Sequence, residues 1–330
     1  MLKRNLPLVI TILVFILGYG YCLSQYPGFA STRVIGDLLT DNAFLGIVAV
    51  GMTFVILSGG IDLSVGSTIA FTGVLLAKLI GQYGIDPAYA FVIVLVMGTL
   101  YGAMTGWIID TLKLPAFIIT LASMFFLRGM SFIVSRESVP IDHPVYASLA
   151  NFAWRMPGGG RLTLLALVML LVVALGMLLA HRTRFGNNVY AIGGNPYSAG
   201  LMGVPVKRTT VQIYMLSSLL AVLSGIVFSL YTSAGYALAA SGVELDAIAA
   251  VVIGGTLLTG GVGTVLGTLF GVMIQGLIQT YITFDGTLSS WWTKIVIGIL
   301  LFGFIGLQKA LSAFWLSKRS VGTAAVSKPA

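Results

Sequence analysis

One acid stands in a stretch otherwise made of small, apolar or hydroxyl residues, Ser58-Gly59-Gly60-Ile61-Asp62-Leu63-Ser64-Val65-Gly66-Ser67, between the apolar runs Asn42 to Ser58 and Val65 to Ala77. A charged group at the centre of a bilayer costs ~2.5–3.5 kcal/mol on insertion scales, so its default reading is functional. Two chemistries are open to Asp62. It can serve an ion or a substrate, or it can cap the helix that follows by accepting backbone N–H groups freed by the paired glycines. The glycines point to a helix broken at membrane depth, where Ser58, Gly59, Gly60, Asp62 and Ser64 would shape or flex a pathway.

A second stretch repeats the first. Aligned without a gap, Gly59-Gly60 meets Gly260-Gly261, Ser58 meets Thr259, Leu57 meets Leu258 and Gly66 meets Gly267, while Gly263 stands where the first copy has Asp62. Matching glycine interruptions in repeated segments are where transporters build translocation sites, which adds Thr259, Gly260 and Gly261 to the candidates. Chance alignment of glycine-rich apolar segments is the other reading.

A third cluster is polar. Between Arg182 and Lys207, Asn195 followed by Pro196 is a helix start, and Gly203 with Pro205 is a stop. The spacing predicts a helix of about two turns. Tyr197, Leu201 and Met202 could face a soluble partner from it, or the helix could be a mere interfacial connector.

Several other chemistries are excluded. Gly261-Val262-Gly263-Thr264-Val265-Leu266-Gly267 is glycine-rich but lacks the Lys-Ser/Thr of a phosphate loop. Ser224-Gly225 has no histidine at membrane depth to activate it, since His143 and His181 lie in loops. No cluster suits a metal, so neither a catalytic residue nor a cofactor is read from the chain. A driven carrier needs intramembrane ion chemistry, and beside Asp62 there are only Glu244 and Asp246 at a helix start.

The elements that must hold these residues are membrane helices. The 330 residues are 58% hydrophobic and 8% charged, with a mean hydropathy of +1.01, which excludes a water-soluble globule. The single cysteine, Cys22, excludes an internal disulfide framework and reads as apolar filler. A net charge of +8 does not form a basic face with interleaved aromatics, so no nucleic-acid partner is expected.

The sequence predicts an all-α polytopic membrane protein, a single domain over residues 1–330 with Gly-broken helices and a weak internal repeat between segments 42–80 and 243–283. Spans are expected from Leu6 to Cys22, Asn42 to Ser58, Val65 to Leu79, Pro87 to Ile109 and Leu114 to Val134. Further spans are expected from Leu162 to Ala180, from Thr209 to Tyr231, twice within Ala247 to Phe284, and from Leu288 to Leu307, about ten in all. Tyr19, Tyr21 and Leu23 offer no cleavage site, so the first is read as a retained span. Gly98, Gly102 and Gly106, four apart, predict a face packed against another helix. Residues 135–161 should be a folded external loop. Lys3, Arg4, Lys113, Arg182, Arg184, Lys207, Arg208, Lys309, Lys318, Arg319 and Lys328 fall on the side of both termini, which makes that side cytoplasmic.

The run from Gly51 through Ser58-Gly59-Gly60-Ile61-Asp62-Leu63-Ser64 to Ser67 closely resembles the signature of the ribose-type sugar ABC importer permeases. So do Leu114-Pro115-Ala116-Phe117-Ile118-Ile119-Thr120-Leu121, the Gly193-Gly194-Asn195 helix, and Val252 to Gly261 with its Gly254-Gly255-Thr256. Through Phe29 to Ile35, Ser289 to Lys294 and the long loop, the chain is similar to the galactofuranose-importer branch of that family. The resemblance implies an inner-membrane permease subunit that passes a neutral sugar, galactofuranose or a related monosaccharide, and hydrolyses no ATP itself. Its implied partners are a homologous second permease, a tandem-domain ATPase, a periplasmic sugar-binding protein and the lipid bilayer. Asn195, Pro196, Tyr197, Leu201, Met202 and Gly203 would then belong to the coupling helix that receives ATPase movement. From the residues alone, a self-contained ion-coupled carrier using Asp62 stays open as the alternative.

Overall fold

The computed structural model describes residues 6–324, with side chains through residue 307; Lys3, Arg4 and the side chains of the basic tail from Lys309 to Lys328 lie outside it. In chain order the helices are α1 (Leu6–Gln25), α2 (Thr32–Asp41), α3 (Ala43–Leu57), α4 (Val65–Ala77), α5 (Pro87–Leu112), α6 (Ala116–Val134) and α7 (Pro144–Asn151). They continue as α8 (Leu164–Arg182), α9 (Arg184–Gly194), α10 (Pro196–Leu201), α11 (Val206–Thr232), α12 (Val243–Ile253), α13 (Val265–Asp285) and α14 (Trp291–Ala324). Four short strands, β1 (Val139–Pro140), β2 (Ala153–Arg155), β3 (Arg161–Thr163) and β4 (Ala234–Gly235), complete the fold.

The sequence orders these helices by depth. α3 is apolar on every face, and a helix of that kind must be enclosed. It is, with almost every residue buried. α11 packs beside it and is tied to it by the Ser224 hydroxyl, which donates to the Phe44 carbonyl at 2.7 Å. α5 lies on the other side of α11. Its Gly98, Gly102 and Gly106 face Val222, Ser218 and Val211 so closely that a methyl group at any of them would collide, and Ser218 donates to the Gly98 carbonyl at 2.7 Å. The four-residue spacing thus does what it predicts. α1, α5 and α6 turn large apolar side chains outward, among them Leu17, Leu100, Phe125, Phe126 and Ile133, as lipid-facing helices do.

Among the described residues, seven helices are long and apolar enough to cross a membrane, or up to eight if α2 and α3, bent by 54° at Asn42, form one span. Ten full-length crossings are therefore not found. The clearest difference is at α12, where the sequence predicts a full span beginning at Ala247. Its 11 residues reach only about 16 Å, half a hydrocarbon core. Gly254 and Gly255 end it several residues ahead of the break read from the sequence, and residues 236–242 before it form a coil. The Arg128 guanidinium on α6 holds that coil by donating to the Ala237 and Ala239 carbonyls at 2.7 and 2.8 Å. At the C-terminal side, the apolar part of α14 that is described, Trp291–Leu307, is also shorter than a standard span.

The two ends of the bundle differ. At one end residues 135–161 are folded, with α7, an antiparallel β2–β3 hairpin, and β1 paired to β4 from the connection after α11. At the other end lie α9 and α10, each entered through a capped start. Thr183 accepts from Gly186 N at 3.1 Å, and Asn195 accepts from Ser198 N at 2.8 Å with Pro196 in the first turn, as the sequence predicts.

Candidate functional site

The broken stretches are the two points where the bundle reverses. α3 ends at Leu57 and residues 58–64 lead back into α4; α12 ends at Ile253 and residues 254–264 lead back into α13. Both helices close with the same backbone motif. Gly59 N donates to the Ile56 carbonyl at 2.9 Å and Gly60 N to the Val55 carbonyl at 3.0 Å, with Gly59 at φ +84°. Gly255 N donates to the Val252 carbonyl at 2.9 Å and Thr256 N to the Val251 carbonyl at 3.2 Å, with Gly255 at φ +90°. This is the Schellman ending, which calls for a left-handed residue just past the helix and so for glycine. The counterpart of Gly59 is therefore Gly255. The ungapped alignment pairs it with Gly260 because α12 ends about one turn earlier than α3, its connection being longer by a similar amount.

Gly260 and Gly261 do something else. The Gly261 amide donates to the Leu57 carbonyl at 2.8 Å, giving the last turn of α3 a partner it lacks within the helix, and Gly260 lies against the Gly59 amide. The two reversals are thus joined directly, backbone to backbone. The end of α9 closes this junction. A methyl group at Gly193 would overlap both the Leu57 carbonyl oxygen and the Gly261 nitrogen, so only glycine admits the approach. Tyr190 adds a side-chain tie, its hydroxyl donating to the Gly263 carbonyl at 2.8 Å. Deeper in, the buried hydroxyls of Thr53 and Thr268 bridge α3 and α13 at 2.7 Å.

Asp62 belongs to the first reversal and is 2% exposed. One carboxylate oxygen accepts from Ser64 N at 3.0 Å and from Ser64 Oγ at 2.6 Å, and the other accepts from Ser217 Oγ on α11 at 2.8 Å. The carboxylate therefore fixes the residue just before α4 and fastens the turn to the neighbouring helix. Thr120 on α6 adds a bond to the Ile61 carbonyl at 3.2 Å. Ser58 ends α3 and folds back onto Val55, its Oγ donating to that carbonyl at 2.7 Å, and Thr259 is exposed on the second connection. Ser58, Gly59, Gly60, Gly260 and Gly261 are thus brought together, whereas Asp62 and Ser64 sit one step away against α11.

α10 leaves the junction and presents its side chains outward. Tyr197 is 78% exposed, and Leu201 and Met202 are 74% exposed each, while Ala199 alone is buried beneath them. Tyr197 and Leu201 on α10 and Met202 just past it are thus three large apolar side chains left exposed. Between α9, the start of α1 and the second connection lies a cavity of about 720 Å3, lined in part by His181, Tyr190, Gly254 and Thr264. Among the described residues no group of His, Cys, Asp or Glu is placed to hold a metal ion.

The sequence reading left out the parts of the site that span the fold. Gly193-Gly194 carries a signal, since it is a third glycine pair where a helix must end. Tyr190 and Ser217 carry none, because their partners lie far away in sequence.

The chain matches the family described as branched-chain amino acid transport system, permease component, over residues 34–305. It is 72% identical over 320 residues to the inner membrane ABC transporter permease protein YjfF of Escherichia coli, covering 97% of each chain. It is 35% identical over 317 residues to the fructose import permease protein FruG of Bifidobacterium longum, covering 94% of this chain and 93% of that one. With the ribose import permease protein RbsC of Bacillus subtilis it shares 37% identity over 290 residues, 87% of this chain and 88% of that one. No solved structure matches it.

Proposed function

The chain belongs to the family of transport-system permease components, and from that premise we propose that it is the permease subunit through which an ABC importer passes a neutral monosaccharide, galactofuranose or a close relative. The observation that carries this reading is the junction. A partner that moves α10 moves α9 with it, and the end of α9 rests on the backbone of both helix reversals at once. Tyr197, Leu201 and Met202 give a tandem-domain ATPase its apolar foothold, and ATP is hydrolysed there, outside this chain. The folded loops at the opposite end receive a periplasmic sugar-binding protein, and a homologous second permease completes the pathway. The basic residues Arg182, Arg184, Lys207 and Arg208 at the α9 end support a cytoplasmic side there, with both termini on that side of a bacterial inner membrane.

The serine bonds count against the ion-coupled alternative, because each oxygen of Asp62 already accepts from a serine of this same chain. The test is cross-linking in native membranes. With Tyr197→Cys or Leu201→Cys, a cross-link to the ATPase subunit is expected, and sugar uptake should stop when that subunit is removed. Labelling of these positions by lipid reagents alone would make α10 an interfacial connector. Concentrative uptake by the purified chain on a pH gradient without any ATPase would sink the proposal.

A further inference from the structure

The bend between α2 and α3 opens a second cavity, at the looped end of the bundle and far from the junction. It has a volume of about 560 Å3 and is bounded by α2, α3, α13 and α14. That is within the range of small-molecule sites. What sets it apart is the state of its amide side chains. Asn42 donates through Nδ2 to the Leu38 carbonyl at 2.8 Å, Gln275 through Nε2 to the Asp246 carbonyl at 3.0 Å, and Gln279 accepts through Oε1 from Thr293 Oγ1 at 2.7 Å. Each amide is held by one atom. The other atom has no bond among the described residues, so Asn42 Oδ1 and Gln275 Oε1 remain as acceptors and Gln279 Nε2 as a donor. Gln275 is 4% exposed and lines the cavity.

Two carboxylates and an indole extend the pattern. Asp41 gives one oxygen to the Tyr231 hydroxyl at 3.1 Å and keeps the other, and Asp37 keeps both. At the rim Trp291 is 74% exposed. Fixed donors and acceptors on the walls with a flat aromatic face at the edge fit a ligand that carries several hydroxyls and a C–H face. Asp246 and Lys294 also line the cavity and pair with each other at 2.6 Å, which leaves Asp37 and Asp41 as its charges without an ion-pair partner among the described residues; an anion would meet these two carboxylates, and a cation would leave the amide donor unused.

We propose that this cavity is a subsite for a neutral furanose or pyranose within a single permease chain, visited between the sugar-binding protein and the pathway. The subsite rests on the importer reading for its place in transport and on its own geometry for its ligand. Hydroxyls of the sugar donate to Asp37, Asp41, Asn42 and Gln275 and accept from Gln279, while Trp291 covers one face of the ring. The bonds to Leu38, Asp246 and Thr293 orient the amides in advance, which removes part of the ordering cost of binding.

The test uses the full chain in lipid nanodiscs, with D-ribose, D-fructose and D-galactose as probes and choline as the cationic control, read by ligand-observed NMR. Saturable binding of at least one sugar is expected, weakened about tenfold by Gln279→Leu and by Trp291→Ala, as loss of a preset hydrogen bond or of an aromatic contact predicts. Trp291 is exposed, so its variant tests the subsite even if Gln279→Leu fails to fold. Absence of binding by all three sugars, binding unchanged in Trp291→Ala, or displacement of sugar by choline would overturn the subsite. Cellular uptake separates the two proposals. A higher half-saturating sugar concentration in Trp291→Ala with ATPase dependence intact supports both, an unchanged one overturns only the subsite, and uptake without the ATPase overturns the importer reading whatever the nanodiscs show.

Discussion

The two helix reversals start alike and are secured differently. Residues 58–64 are fastened to the transmembrane helices, through Asp62 to Ser217 on α11 and through the Ile61 carbonyl to Thr120 on α6. Residues 254–264 lean instead on α9, which Tyr190 and Gly193 bring against them, and they border the larger cavity. Their Thr256 hydroxyl is buried with no hydrogen-bond partner, whereas both carboxylate oxygens of the first turn accept hydrogen bonds. A buried unpaired hydroxyl costs free energy that a small rearrangement can recover. This contrast predicts that, when α9 moves, the first reversal is the more rigid side of the junction and the second the side that yields.

Substitutions can break this comparison or sharpen it. The largest effect is expected from Gly193→Val, because the new side chain collides with backbone on both reversals and no flexible group can yield. Overpacking of this kind costs about 1–3 kcal/mol, and sugar uptake should fall well below that of Asp62→Ala or Tyr190→Phe while the chain still inserts; a melting curve and an uptake assay on the same membranes read the two effects. Asp62→Ala comes next. It leaves Ser64 and Ser217 without their acceptor and should cost about 1–3 kcal/mol of thermal stability. Asp62→Asn should be milder, with uptake still indifferent to the proton gradient. Loss of uptake in Asp62→Asn at an unchanged melting temperature would show the carboxylate handling cargo, and the contrast between a fixed and a moving side would collapse. The smallest effect on stability belongs to Tyr190→Phe, about 0.5–1.5 kcal/mol for one hydrogen bond. Its uptake should nonetheless fall further than that of Asp62→Asn, and an unimpaired Tyr190→Phe would mean that α9 does not drive the second reversal.

The sequence made the broken helices and the short capped helix legible because each is written in local chemistry. Gly59-Gly60 breaks a helix, Asn195-Pro196 starts one, and Gly98, Gly102 and Gly106 mark a close-packed face. The half-length of α12 was not legible. An uncharged run such as Ala247 to Phe284 has the same hydropathy whether the chain crosses fully or turns early, and only the backbone state of Gly255 decides. The ungapped alignment pairs Gly59 with Gly260 for the same reason, since residue types cannot show that α12 ends a turn earlier than α3 does. The site was half visible. Its glycines stand out, but the contact of Gly193 with Leu57 and the bond from Ser217 to Asp62 join residues from distant parts of the chain, and no periodicity encodes them. Asp62 drew attention as a candidate for chemistry, and its geometry is that of a fastening.

The bond from the Gly261 amide to the Leu57 carbonyl gives the junction a built-in clock. It is made by backbone alone, so its proton can be followed by hydrogen–deuterium exchange without altering a single side chain. Each 1.4 kcal/mol by which a bound nucleotide or sugar eases the two reversals apart would speed that exchange about tenfold. A residue with no side chain thereby becomes the natural reporter of how often, and at which stage of turnover, the permease opens.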